Sequence, residues 1–72
     1  MLSDTDKKIM EIISKQLLIT KAELARKLNK EEYDGTEVNV SRLIELGYIS
    51  EVESLGTCLV ITQKGIRALK DL

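Results

Sequence analysis

The side chains of this sequence that could do chemistry are mostly charged, and few of them suit a catalytic centre. The sequence contains no histidine and a single cysteine, Cys58. A nucleophile activated by histidine therefore cannot form, and a zinc site would depend on carboxylates alone, which suits zinc poorly. The adjacent Glu31 and Glu32 lie in a charged stretch, where we expect solvated carboxylates rather than a cleft that shifts their pKa. We predict no enzyme activity, no cofactor and no metal site.

The cationic side chains offer a different chemistry, the binding of phosphate groups. Four of them lie on or just after the second predicted helix: Lys21, Arg26, Lys27 and Lys30. Such a group could contact a nucleic-acid backbone, because phosphate neutralisation supplies most of the non-specific affinity for DNA. The alternative is ordinary surface charge that balances nearby glutamates. A second basic group lies toward the end of the chain, where the helix dipole already favours cations: Lys64, Arg67 and Lys70.

Length and composition limit the class of protein. A chain of 72 residues predicts one domain over residues 1–72, and an aliphatic core of this size is near the lower limit for folding alone. A homodimer is therefore one expected source of extra stability. The single cysteine excludes an internal disulfide, and we expect Cys58 to be a small buried apolar residue. Without an apolar segment long enough for a signal peptide or a membrane span, a cytoplasmic location with no membrane partner is predicted.

Local signals predict one helix and a short extended segment at the start of the chain. Ser3 and Asp6 have the spacing of a capping box, which predicts helix 1 over Asp4–Lys15. The apolar run at residues 17–19 is too short for a helix and suits a brief strand or a buried connection. Apolar residues at helical spacing predict the buried stripe of helix 1: Ile9, Ile12 and Ile13.

Two more capping signals predict the next two helices. Thr20 to Glu23 forms a Thr-x-x-Glu box and predicts helix 2 over Lys21–Leu28. Asn29 to Glu32 gives a similar signal and predicts helix 3 over Lys30–Leu46, with Gly47 as its left-handed C-terminal residue. Residues at a spacing of 3.6 predict the buried face of helix 3: Tyr33, Thr36, Val40, Leu43, Ile44 and Gly47.

The remainder of the chain has the pattern of a hairpin followed by a helix. Strands are predicted at Tyr48–Ser54 and Thr57–Thr62 on both sides of a turn that contains Gly56. The apolar residues from Cys58 to Ile61 occupy both faces of their strand, which indicates either core burial or cover by another chain. Thr62 is expected to cap helix 4 over Gln63–Leu72, with these residues turned inward: Ile66, Leu69 and Leu72.

Three phrases of the sequence resemble those of winged helix-turn-helix regulators of the MarR and PadR type. Residues 20–28 resemble the second-helix phrase, a capped Glu-Leu-Ala followed three residues later by Leu. Residues 43–49 resemble the end of the recognition helix, Leu-x-x-x-Gly-Tyr/Leu-Ile. Residues 61–69 are similar to the Leu-Thr-x-x-Gly-x-x-x-Leu phrase after the wing. The three phrases occur in the family's order and cover nearly the whole chain.

The resemblance implies an α+β fold, a small winged helix-turn-helix with a three-helix core, a β-hairpin wing and a C-terminal helix. Many members of this class place helix 3 in the major groove of DNA, and others make only protein contacts. With Val40 at the centre of the buried face, the side chains on the outer face and its flanks become candidate DNA contacts: Val38, Asn39, Ser41 and Arg42. Arg42 could pair with guanine and Asn39 with adenine; the alternative is that Arg42 is a solvated surface residue.

The charges predicted on the outer face of helix 3 and on the wing disfavour DNA binding. The same outer face is expected to carry Glu31, Asp34, Gly35 and Glu45. Glu51 and Glu53 occupy the predicted wing, which has no Lys or Arg. Gly35 inside helix 3 either permits close approach or is a tolerated surface glycine. Against these charges, the three family-like phrases in order lead us to expect a DNA-binding or transcription-associated regulatory protein that uses helix 3 as its reader. The alternative is a winged helix that acts as a protein–protein interaction module without binding DNA.

Overall fold

The chain is a small α+β domain, in which helices surround one face of an antiparallel sheet. The computed structural model describes residues 2–16, 18–33, 36–53 and 56–71. Within these ranges it has four helices and three strands: α1 (Asp4–Gln16), β1 (Ile19–Thr20), α2 (Lys21–Lys30), α3 (Glu37–Glu45), β2 (Ile49–Glu53), β3 (Thr57–Ile61) and α4 (Gln63–Lys70).

Side-chain caps fix the beginnings of three helices, as the sequence predicts. The Ser3 hydroxyl accepts from the amide of Asp6 at 3.1 Å, and the Asp6 carboxylate accepts from the amide of Ser3 at 3.0 Å. Thr20 Oγ1 accepts from the amide of Glu23 at 3.1 Å, and Thr62 Oγ1 accepts from the amide of Gly65 at 3.1 Å. Each cap satisfies an amide that has no partner inside its helix.

The predicted start of helix 3 at Lys30 is wrong, because this segment ends α2. The amide of Glu32 donates to the carbonyl of Asn29 at 3.1 Å, and the amide of Tyr33 donates to the carbonyl of Leu28 at 2.8 Å. These two bonds are the Schellman closure of a helix C-terminus, with Glu32 in the left-handed conformation at φ 65°. Glu31 and Glu32 therefore do not belong to α3, and residues 34 and 35, including the glycine predicted inside helix 3, lie outside the described residues.

The end of α3 agrees with the prediction and is also tied to α4. Gly47 has a φ of 83°. Its amide donates to the carbonyl of Ile44, and the amide of Tyr48 donates to the carbonyl of Leu43, both at 3.0 Å. Lys64 Nζ donates to the carbonyl of Leu46 at 2.8 Å. This places a cation at the C-terminus of α3, where the helix dipole favours it.

The core lies between α1 and the sheet, and it is aliphatic. The strands are ordered β1-β3-β2, with Leu59 opposite Ile19 and Ile61 opposite Ile49. Leu59 in the central strand has 0% of its surface exposed and packs among the other buried residues of the domain: Ile9, Met10, Ile12, Ile13, Ile19, Leu24, Leu28, Val40, Leu43 and Ile49. Because α1 contributes four of these, it is the element against which the others pack.

In the C-terminal half, the prediction for Cys58 is confirmed and the prediction for Ile66 is wrong. Cys58 is buried, as predicted, on the sheet face that also carries Val52. Ile66, predicted to point inward, is 40% exposed, because α4 packs through Gly65, Ala68 and Leu69 instead. Residue 72 lies outside the described residues. None of the helices in the described ranges has the length and apolar character needed to cross a membrane.

Candidate nucleic-acid interface

Three of the four α3 side chains predicted to contact DNA lie on the outer face of this helix. Val40 and Leu43 are buried against the core, so the opposite side of the helix is in solvent. Val38 is 76% exposed, and the side chain of Arg42 is 49% exposed. Glu37, Ser41 and Glu45 are also exposed on this helix. The local sequence thus places one cation, one hydroxyl and two carboxylates on the surface that would face a groove.

Two of the predicted reader residues bind the carboxylate of Asp6 in α1, which the sequence pattern predicts only as part of a cap. Asn39 Nδ2 donates to Asp6 Oδ1 at 2.8 Å, and Arg42 Nη2 donates to Asp6 Oδ2 as an ion pair. Asp6 has no exposed surface. With the amide of Ser3 also donating to it, the carboxylate is fully hydrogen-bonded, as a buried charge must be.

The surroundings of Asp6 determine its protonation. Burial by itself raises the pKa of this carboxyl, but the hydrogen bonds from Asn39 and Ser3 and the charge of Arg42 outweigh burial. The pKa of Asp6 is therefore lowered from its ordinary value of 3.8. At neutral pH Asp6 is an anion that holds α1 and α3 together.

The Asp6 contact changes what Arg42 and Asn39 can do. A guanidinium has five N–H donors, so Arg42 keeps donors on its exposed side while Nη2 is fixed by Asp6. Asn39 is half-buried, and one of its two amide protons is used inside the protein. Arg42 is thus a cation that Asp6 fixes on one side and that is exposed on the other, whereas Asn39 mainly connects α3 to α1. No local signal could reveal this, because the partners are 33 and 36 residues apart.

The four cations predicted on and after helix 2 do not form one surface. Lys21 lies on the side of α2 that faces α3, where its Nζ pairs with Glu51 Oε2 of the hairpin at 2.8 Å. It lines a depression of about 110 Å³ together with residues of both helices: Leu24, Glu37, Val40 and Ser41. Glu51 and Glu37 accompany the lysine there, so this part of the surface has no excess of positive charge.

The other three cations of this group lie on the opposite side of α2. Lys27 and Lys30 face α1 and line a groove of about 310 Å³, which we call the α1–α2 groove. Its walls are formed by residues of both helices and of the turn after α2: Lys8, Ile12, Lys15, Gln16, Lys27, Lys30 and Glu31. Arg26 joins Lys27 and Lys30 in an adjoining depression with Glu23. The sequence pattern grouped these cations by element, and the packing of α2 decides that Lys21 faces α3 whereas Lys27 and Lys30 face α1.

One ion pair crosses the rim of the α1–α2 groove. Lys8 Nζ lies 2.8 Å from Glu31 Oε1, and this hydrogen bond is the main reason that the pKa of Lys8 is raised. Both side chains are partly exposed, so the pair contributes little to stability. Lys8 and Lys15 were not among the predicted contacts, although their spacing of seven residues places them on one face of α1.

The described part of the hairpin carries exposed glutamates, as predicted. Glu51, Val52 and Glu53 are all exposed on β2, and residues 54 and 55 of the predicted tip lie outside the described residues. In the described part of the hairpin, Glu51 is paired with Lys21. The hairpin therefore adds negative charge near the outer face of α3.

The described residues contain no group of three or more His, Cys, Asp or Glu that could hold a metal ion. Comparisons of the chain with protein-family models, curated proteins and solved structures found no match. The functional assignment therefore depends on the geometry and charge of the surfaces described above.

Proposed function

We propose that this chain is a winged helix-turn-helix domain that binds duplex DNA in transcription regulation, with α3 as its recognition helix and the β2–β3 hairpin as its wing. The order of helices and strands and the antiparallel sheet are compatible with that architecture. The helix-turn-helix unit would be α2 and α3, with α3 in the major groove.

The observation that carries the proposal is the state of Arg42. Its guanidinium is fixed on one side by buried Asp6 and is half exposed on the outer face of α3. A side chain held in place loses less conformational freedom when it binds. Arginine also has the planar donor geometry that pairs with guanine in the major groove. Ser41 and Val38 beside it are exposed and would contact neighbouring positions.

The test is selection of bound sequences from a random duplex pool, followed by affinity measurements on the selected site. Arg42→Ala should weaken binding roughly 5-fold to 150-fold and relax the preference at one base pair, which corresponds to about 1–3 kcal/mol. Arg42→Lys separates reading from folding, because lysine keeps the charge next to Asp6 but loses the paired donors. We expect it to fold like the wild type and to lose the base preference.

Arg67→Ala is the matched control, since Arg67 is an exposed arginine on α4. This variant should keep the sequence preference. Unchanged affinity and preference in Arg42→Ala would remove Arg42 from the reading role. An absence of duplex retention at low salt would reject the DNA-binding function itself.

A specific observation favours a second candidate, a protein–protein interaction module. The surface formed by α3 and the hairpin has more carboxylates than cations among its described residues, and it exposes Val38 and Val52. Acidic side chains repel phosphates, whereas exposed apolar residues suit a protein contact. A stable protein partner that crosslinks to α3, together with no DNA retention at low salt, would support this candidate.

A further inference from the structure

Nearly half of the cationic side chains of this protein line one surface. The α1–α2 groove and the adjoining depression share Lys27 and Lys30 and so form one continuous basic surface. Five of the eleven Lys and Arg residues line it, against two of the twelve acidic residues among the parts of the chain that the structure describes. A chain with a net charge of −1 therefore has a locally positive face.

This basic surface is separate from the outer face of α3. Lys21 and Leu24 face α3, whereas Lys27 and Lys30 face α1. The two sets are on different sides of α2, since Lys30 follows Lys21 by nine residues, which is about two and a half turns of the helix. A duplex read by α3 would thus meet Lys21 first, and the basic surface would contact a different stretch of phosphates.

The helix dipole alone does not explain the arrangement. Lys15, Lys27 and Lys30 lie in or near the last turns of α1 and α2, where cations are favoured. Lys8 lies one turn from the start of α1, where a cation has no such benefit, yet it lines the same groove. Like charges gathered along two helices repel each other. Glu31 offsets only one of the four lysines, Lys8, and an anion in the groove would relieve the remaining repulsion.

The lining of the groove indicates the kind of anion. Its cations are all lysines, which bind phosphates as point charges on flexible stems, and Glu31 is the one carboxylate among the described lining residues. Its apolar lining residue is Ile12, and none of the described lining residues is aromatic, so unpaired bases would have no ring on which to stack. These features suit the backbone of a duplex, which presents regularly spaced phosphates and keeps its bases inside.

We propose that the α1–α2 groove binds the phosphate backbone of duplex DNA through Lys8, Lys15, Lys27 and Lys30, as a sequence-independent contact outside the reading surface of α3. The choice of DNA as the polyanion rests on the proposed function, but the contact does not require α3 to read bases. Binding here would position the protein on DNA without adding sequence preference.

The first test compares two double variants that remove equal charge from different faces. Lys15→Gln with Lys30→Gln changes the groove, and Arg67→Gln with Lys70→Gln changes α4, whose cations line a separate depression. Affinity for several unrelated duplexes is measured by fluorescence anisotropy across a series of salt concentrations. The groove variant should bind all duplexes at least 10-fold more weakly at low salt, and its salt slope should fall by up to about 2 for two lost phosphate contacts.

The α4 variant should keep most of the affinity and the salt slope of the wild type. Equal losses in the two variants would show that only net charge matters, and would overturn the groove proposal. Thermal unfolding by circular dichroism checks that both variants remain folded. A loss confined to one duplex sequence would also contradict the proposal, because a backbone contact cannot select sequence.

The second test separates failure of the groove from failure of the proposed function. A short duplex is titrated into isotope-labelled wild-type protein at low salt, and the backbone amide signals are followed by nuclear magnetic resonance. Shifts at residues 15–16 and 27–30 support the groove contact, and shifts at residues 38–42 support reading by α3. Movement at α3 alone overturns the groove proposal and leaves the proposed function standing. Shifts in the groove alone would leave the groove proposal standing and remove α3 from the reading role. Shifts in neither region would reject both proposals.

A polyglutamate peptide is titrated in the same way. Groove shifts caused only by this peptide would assign the surface to an acidic protein and overturn the choice of DNA.

Discussion

A single carboxylate, Asp6, shows how one residue can serve two purposes. Its hydrogen bonds with Ser3 cap α1, and its bonds with Asn39 and Arg42 connect α1 to α3. A buried charge of this kind is stable only while all its partners are present. Asp6 therefore couples the start of the chain to the residues proposed to read DNA.

Replacement of Asp6 by Asn should destabilise the protein in a pH-dependent manner. We expect a loss of about 2–3 kcal/mol at neutral pH, because hydrogen bonds to a charged group are removed and an amide is placed against the donors of Arg42. The pKa of Asp6 is lowered in the folded state, so its stabilising effect is complete above the ordinary value of 3.8 and is lost as the pH falls through the lowered pKa. Urea unfolding from pH 7 down to pH 2 measures the difference between wild type and variant.

The same substitution at Asp4 is the matched control for Asp6. Asp4 is exposed in the first turn of the same helix, so Asp4→Asn should change stability by about 0.5 kcal/mol or less. A difference between wild type and Asp6→Asn that stays constant down to the lowest pH would contradict the role given to the Asp6 charge.

Glu32 is a residue in a conformation that favours glycine, and its replacement should stabilise the protein. Its φ is 65° at the closure of α2, where a side chain costs about 1 kcal/mol relative to glycine. Glu32→Gly should raise the free energy of unfolding by about 0.5–1 kcal/mol. Gly47→Ala is the converse variant, since Gly47 has the same role after α3 at φ 83° and should lose about 1 kcal/mol. A Glu32→Gly protein less stable than wild type in urea would contradict this interpretation.

At the scale of elements, the junction between α3 and α4 depends on close backbone approach. Thr62 Oγ1 lies within hydrogen-bond distance of the carbonyl oxygens of Gly47 and Tyr48, at 2.6 and 3.0 Å. The amide of Thr62 also donates to Tyr48 at 3.1 Å. These bonds hold the first turn of α4 directly against the chain between α3 and β2. These contacts are also the physical reason for the threonine in the Thr-x-x-Gly pattern at residues 62–65.

Gly65→Ala should damage this junction severely. A Cβ at position 65 would lie 2.2 Å from the carbonyl oxygen of Tyr48 and 2.8 Å from Cγ1 of Ile61, so backbone must move. We expect a loss of about 3 kcal/mol from this overpacking. Gln63→Ala, an exposed position in the same helix, is the control and should stay within about 0.5 kcal/mol. Thermal and urea unfolding measure both variants, and a Gly65→Ala protein as stable as the control would show that α4 can shift without cost.

At the scale of the whole molecule, the described surface has two regions that differ in charge. The outer face of α3 and the hairpin carry Arg42 among carboxylates, whereas the α1–α2 groove gathers lysines from two helices. Long-range attraction of a polyanion would be directed to the groove, and any selectivity would arise at α3. The net charge of −1 hides this division, because it averages over both regions.

The sequence by itself determined the elements and most of the core. The caps at Ser3, Thr20 and Thr62 depend on contacts between residues three apart, and the apolar spacing of α1 depends on helical periodicity alone. Gly47 was recognisable for the same reason, since a left-handed helix end is a local property. The misplaced start of helix 3 is instructive, because Asn29 to Glu32 has a capping pattern but Tyr33 packs against the core and closes α2.

Only the tertiary structure decided which side chains are available for binding. Arg42 and Asn39 meet Asp6 from more than 30 residues away, Lys21 pairs with Glu51, and Lys8 and Lys15 join Lys27 and Lys30 across a groove. These contacts form when helices pack against one another, so no periodicity within a single helix contains them. Local sequence sets which face of a helix is apolar, but the partner of each polar group depends on how the packed elements meet.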